Sequence, residues 1–293
     1  MKNIKTKLLF TLTIGSMLFG CRPKPIDINI DPHKPKLVVA AQIFPGNIML
    51  VGLTMSFSAL SNSTHTDTVS GNFLSNILVK DAFVTVSYSN KTDTLFMLVP
   101  GIYASTSILQ QDYGFYTLYA RDPATGEEVT ASSTLLPKVS FDTIYPVVIK
   151  TASDTSVSIK YGFTDRPNED NWFVVNYYLK TNNESTFNLS NYFNQGSSKL
   201  LKDFDLLSDK TFEAGKYSAE TLLYGIKATD TIAVSISNVS ETYFQFLTAR
   251  KRSGGFVNTL AGEPINYPTN VKNGYGYFNT HYPDYRIFDL NNY

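Results

Sequence analysis

After residue 36 the chain predicts a mainly β protein, two β-sandwich units in succession, and three observations carry that expectation. Tyr (19) and Phe (20) are plentiful beside Thr, Ser, Val and Ile, a mixture that suits a pleated surface better than a helix. Short apolar or alternating runs recur between clusters of Pro, Gly, Asn, Asp and Ser, the spacing of strands and turns. The single cysteine, Cys21, falls before both units, so no disulfide helps them and the fold stands on its apolar core.

The first unit is expected over 37–136. Residues 37–44 (LVVAAQIF) and 47–57 (NIMLVGLTMSF) flank the turn Pro45-Gly46 and read as strands. The polar, Ser/Thr-rich stretch 58–76 reads as an exposed loop. Residues 82–88 and 94–98 alternate, with Ser89-Asn90-Lys91 as a hairpin between them. Residues 114–120 and 128–135 flank the turn cluster 121–126. Six or seven short strands in about 100 residues match an immunoglobulin-like or transthyretin-like sandwich.

The second unit is expected over 137–293. Runs 141–150 and 156–163 pair naturally, and a polar loop over 163–172 leads into the strand 172–179 (WFVVNYYL). Within 200–212, Asp203, Asp205 and Asp209 look like a polar side, with Leu201, Phe204 and Leu207 facing inward. Further strands fit 216–224 and 231–237. The period then changes: Val239, Tyr243, Phe246, Leu247 and Arg250 fall at helical steps. Asn238 or Ser240 can cap the start, Arg250, Lys251 and Arg252 suit the negative end of the dipole, and Gly254-Gly255 stops the helix. One helix, about 239–252, is expected to lie against a sheet. The tail alternates again through Tyr275, Tyr277, Tyr285, Ile287 and Phe288.

Upstream, 1–20 has the form of a signal peptide. Lys2, Lys5 and Lys7 precede an apolar run over 8–19, shorter than the ~18–20 residues a membrane span needs. Gly20 stands before Cys21, as lipoprotein processing requires; an ordinary secretory signal with an incidental cysteine is the alternative. A diacylglycerol on the Cys21 thiol and an acyl chain (palmitate or similar) on its freed amine would anchor the protein. Residues 21–36, with four prolines, read as a tether. Losing the signal removes three lysines and leaves 22 basic against 25 acidic side chains, a net charge of −3. That is too small to steer the chain to nucleic acid.

Few residues point to chemistry, and neither a catalytic set nor a cofactor is expected. The three histidines, His33, His65 and His281, lie far apart in sequence; no G-x-S-x-G elbow, P-loop or zinc spacing accompanies them. Asp165, Asn168, Glu169, Asp170 and Asn171 place five side-chain oxygens or amides within seven residues, a composition that allows calcium. The glycine and terminal glutamate of an EF-hand are missing, and a solvated turn is the plainer reading. Tyr282 and Tyr285, flanking Pro283-Asp284, look exposed and able to stack on a sugar ring, whereas the strand tyrosines suit the core.

Several short segments resemble one family. They are Lys36-Leu37-Val38-Val39 with its nearby turn, Phe163-Thr164-Asp165 followed by Asn171 and aromatics, 208–212 (SDKTF), Ser235-Ile236-Ser237 leading to Tyr243 and Phe246-Leu247, and 268–278 (PTNVKNGYGYF). Together with Cys21 they are similar to the Bacteroidetes outer-membrane lipoproteins grouped as domain of unknown function 4249. The loop 165–171 is longer than that pattern. The resemblance implies a lipid-anchored outer-membrane protein, periplasmic or surface-facing, often encoded beside TonB-dependent receptors and without established enzymatic activity. It also brings in O-glycosylation at Asp-(Ser/Thr)-apolar triplets, of which this chain has four, centred on Thr68, Thr94, Thr143 and Thr231. A turn followed by a strand start explains the same triplets. The expected role is a non-enzymatic accessory subunit of a TonB-dependent nutrient-uptake receptor. A free-standing glycan- or peptide-binding lipoprotein is the second reading, and a surface hydrolase a distant third.

Overall fold

The computed structural model describes residues 34–44, 48–56, 77–105, 113–150, 155–180, 200–212, 214–252 and 267–293. The expectations for the signal peptide, Cys21, most of the tether, Thr68, His33 and His65 lie outside the described residues. Among those described, 17 strands form four sheets arranged as two sandwiches, with one α-helix. The expected all-β class is the observed one.

Sheet I runs β16 (Tyr275–Tyr277), β1 (Leu37–Phe44), β2 (Ile48–Met55), β6 (Ile102–Ser105), β5 (Phe96–Val99). Sheet II runs β15 (Val271–Lys272), β8 (Glu128–Thr134), β7 (Phe115–Arg121), β3 (Phe83–Tyr88), β4 (Lys91–Thr94). Strand alternation fills the space between them. Leu37, Val39, Ala41 and Ile43 of β1 turn inward to meet Val51 and Leu53, and from the facing sheet Val84, Val86, Tyr116 and Leu118. Ser89 and Asn90 join β3 to β4 with positive φ at both positions, 44° and 63°, the turn whose twist matches a two-residue hairpin.

Two details differ from the expected strands. The run 94–98 is not one strand: Leu95 is buried at a corner where the chain leaves β4 in sheet II and enters β5 in sheet I. β6 follows two residues after β5 and is as short, too brief for an alternation signal to emerge from sequence.

The second sandwich stacks sheet III, β13 (Lys216–Leu223), β10 (Thr155–Thr164), β9 (Phe141–Lys150), on sheet IV, β12 (Leu200–Ser208), β11 (Trp172–Lys180), β14 (Thr231–Val239), β17 (Asp284–Asp289). Its core joins Val157, Ile159, Tyr161 and Phe163 to Phe173, Val175, Tyr177, Ile232, Val234 and Ile236. The stretch 200–212 corrects the expected one-sided pattern. It holds a strand through Ser208, so Phe204 packs under the helix on one face while Leu207 packs on the core from the other. Asp205 therefore reaches inward and accepts the Tyr177 Oη proton at 2.9 Å.

Helix α1 (Glu241–Arg252) begins two residues later than expected, because Val239 still belongs to β14. Ser240 caps it: its carbonyl accepts Phe244 N at 2.9 Å and its Oγ accepts Tyr243 N at 3.3 Å. At the far end Lys251 Nζ donates to the Phe204 carbonyl at 3.1 Å. Phe246 and Leu247 bury against Val174, Val239 and Phe204, on the outer face of sheet IV.

The tail then returns to the first sandwich. β16 pairs in parallel with β1, Val39 opposite Gly276, and β15 pairs with β8. Tyr277 of β16 packs its ring at a tilt against Tyr243 and Phe246, with centroids 5.1 and 5.3 Å apart, and hydrogen-bonds Thr242 through its hydroxyl. Residues 271–278 thus serve the first core although they follow the helix of the second, and His33–Tyr293 forms one compact unit.

Candidate functional site

The loop between β10 and β11 holds the calcium candidates, and three of them, Asp165, Glu169 and Asn171, bond to the protein itself. Asn171 is buried; its N–H donates to Asp209 Oδ2 at 2.7 Å, its side-chain nitrogen donates to the Glu169 carbonyl, and its Oδ1 accepts from Asn238 Nδ2 at 3.0 Å. Glu169 accepts the Tyr113 hydroxyl at 3.0 and 3.2 Å, a link across to the first sandwich. Asp165 accepts the Arg166 N–H at 2.7 Å. Burial raises the Asp165 pKa above the ordinary carboxylate value, that N–H partly offsets the rise, and neighbouring Asp209 adds to it. Asn168 takes positive φ, 67°, at the turn, and Asp170 is exposed. Among the described residues no group of three or more His, Cys, Asp or Glu side chains converges to hold a metal ion.

Tyr282 and Tyr285 do not form the exposed pair expected of them. Tyr282 packs on the first core, and Tyr285 is half-buried, its hydroxyl donating to the Ile43 carbonyl at 3.2 Å and its ring 6.3 Å from Tyr178. Pro283-Asp284 is the reason. Asp284 is buried and accepts Phe141 N at 3.0 Å, with Arg286 at 2.8 Å and Lys138 at 3.4 Å around its other oxygen. Those bonds draw both flanking rings inward.

Three of the Asp-Thr-apolar triplets are described. Thr94 and Thr143 are exposed and Thr231 is half-buried. In each, the third residue turns to a core: Leu95 and Ile232 are buried and Ile144 packs against the second core. Asp230 is buried and accepts Lys227 N at 2.8 Å, closing the turn before β14.

His281 is interior. It lies fully buried with Nδ1 2.9 Å from Asn279 Nδ2, beside Thr280, whose N–H and hydroxyl both reach Ser133 Oγ at 3.0 Å. Burial lowers its pKa from 6.5 to about 4. The unfolded chain therefore takes up a proton, between about pH 6.5 and pH 4, that the folded chain refuses. The neutral imidazole's contribution is whole above pH 6.5 and is lost as pH falls toward 4, about 3 kcal/mol in all. Denaturant unfolding at pH 7.5 and 4.5 checks this: His281→Asn should show a shallower stability loss than wild type. Equal losses in the two proteins would remove His281 as the cause.

One open surface went unnoticed in sequence. On β9, Tyr145, Val147 and Ile149 face solvent, 51, 38 and 43% exposed, opposite Lys160, Ser158 and Ser156 of β10. Leu222 of β13, 41% exposed, stands across from Ser158. Between these apolar groups, Ser158 donates its hydroxyl to the Glu220 carboxylate, which also pairs with Lys160 at 3.6 Å, so the exposed apolar row of β9 borders a charged pair. The signal was available, because 144–149 is continuously apolar rather than alternating, and a continuous run puts apolar groups on both faces of a strand.

Comparison with protein families matches residues 23–283 to the family described as Domain of unknown function (DUF4249). The chain belongs to the DUF4249 family. The DUF4249 match spans the tether, both sandwiches and the returning tail as far as Pro283. A search of curated proteins finds no match.

Proposed function

We propose that this DUF4249 protein is a lipid-anchored, non-enzymatic lipoprotein of the outer membrane that works by binding, as an accessory subunit of a TonB-dependent receptor. The observation that carries the binding role is the exposed apolar group of Tyr145, Val147, Ile149 and Leu222 on the solvent face of sheet III. An apolar row held on a two-sheet scaffold suits a folded protein partner, where a few central side chains supply most of the affinity. Cys21 behind a signal-like start supports the anchor, and the family resemblance supports the receptor as partner. Confinement at the membrane raises the effective concentration of both. For the Asp-Thr-apolar triplets this address favours Thr94 and Thr143, both exposed, over the half-buried Thr231 as glycan acceptors.

A mild-detergent pull-down from native membranes through a C-terminal tag tests the reading. Wild type should bring down a large β-barrel protein. The double variant Val147→Asp, Leu222→Asp should lower that recovery by at least about tenfold, with its unfolding midpoint close to wild type because both side chains face solvent. Recovery of the chain by itself, or equal recovery by the variant, removes the role.

A further inference from the structure

We propose that the edge formed by β5 rests on the lipid surface to which Cys21 tethers the chain, with Phe96, Met97, Leu98 and Val99 seated among the acyl chains. This rests on the lipid anchor proposed above. Successive residues of a strand point to opposite faces, so an ordinary edge strand shows apolar groups on one side only. Here all four are open, 57, 40, 44 and 38% exposed in order. Residues 94–104 contain no charged side chain, and across the sheet Phe96 lines up with Ala104 and Leu50, and Val99 with Ile102. Leu50, Ile102 and Ala104 are themselves buried, with Ile48 packed beside them, so the open apolar surface here is that of β5.

Two features favour lipid over an added protein strand. The register of β5 against β6 shifts between Met97 and Val99, leaving Leu98 bulged, and Pro100 follows with no N–H to donate. Both spoil the backbone edge as a template for strand pairing, while the side chains still project. The point where the described chain begins agrees. The Gly101 carbonyl accepts Leu53 N at 2.8 Å and Lys36 O accepts Ser56 N at 2.8 Å, so the β5–β6 turn lies near the end of sheet I where the chain enters from Cys21. Twelve residues separate Cys21 from Lys34, enough for a Pro-rich segment to reach up to about 40 Å. The tether is long enough to let that end touch the membrane.

The test uses the full-length protein as processed and lipidated in cells, reconstituted in phosphatidylethanolamine–phosphatidylglycerol vesicles with or without brominated acyl chains. Trp172 is the one native tryptophan and packs beside the helix cluster, so it serves as an internal control. Phe96→Trp should add emission that brominated lipid quenches at least twofold, with Trp172 emission unchanged. Replacing Met97, Leu98 and Val99 by Ser in the F96W background should abolish that quenching, and circular dichroism confirms folding. No quenching of F96W beyond wild type overturns the proposal. So does an F96W indole shielded from aqueous quencher in native membranes but not by vesicles, which assigns the edge to a protein partner. Palmitate labelling separates the two failures: a labelled but unquenched protein sinks this inference alone, and an unlabelled one sinks the anchor with it.

Discussion

Gly276→Ala is expected to lower stability by about 3 kcal/mol or more, a fall of roughly 6–12 °C in unfolding midpoint for a unit of this size. Two costs coincide at this position. Gly276 holds φ at +90°, in the region where a side chain is strained. A Cβ there would also overlap the Val39 carbonyl oxygen and crowd the Val39 backbone, because β16 lies directly against β1 at that pair. A backbone atom cannot swing aside as a side-chain tip can. Gly225→Ala separates the two costs: it has φ +69° and open space around the missing Cβ, so it should lose only about 1 kcal/mol. Thermal melts of the two variants check the difference, and equal losses would mean that the close approach to Val39 contributes nothing.

Cys21→Ala should abolish palmitate incorporation, an all-or-none effect, and move the mature chain out of the washed membrane pellet. Each buried methylene contributes ~0.8 kcal/mol, so two or more acyl chains anchor stably where one would not. The sulfur is the only thiol in the chain, and no neighbouring cysteine can substitute. Metabolic labelling with palmitate, followed by fractionation of wild type and variant, reads both results. Label persisting in the variant, or none in wild type, would remove the anchor.

Much of this fold was legible because its signals are local. Residues 37–44 and 141–150 have the expected strand bounds, and the helix was visible as a change of period from two to three or four. What stayed hidden depends on distant partners. Asp205 looked like surface, but its strand needs a core-facing residue there and Tyr177 supplies the hydrogen bond. Thr280, beside His281, and Asp284 are held by hydrogen bonds to residues about 140 positions earlier. Tyr282 and Tyr285 were misjudged for the same reason: a Pro-Asp pair signals a turn, and only the distant Phe141 N–H shows that this one faces inward. The exposed apolar row on sheet III was readable in the continuous apolar run of β9, though Leu222 beside it was not.

The pairing of β15 and β16 with strands laid down more than 130 residues earlier bears on when such a chain becomes rigid during its synthesis. Both sheets of the leading sandwich lack an edge until the last few dozen residues have emerged. Closing so long a loop is slow. A chain emerging amino end first therefore keeps its leading sandwich incomplete, and closes it only after nearly all of its residues have been made.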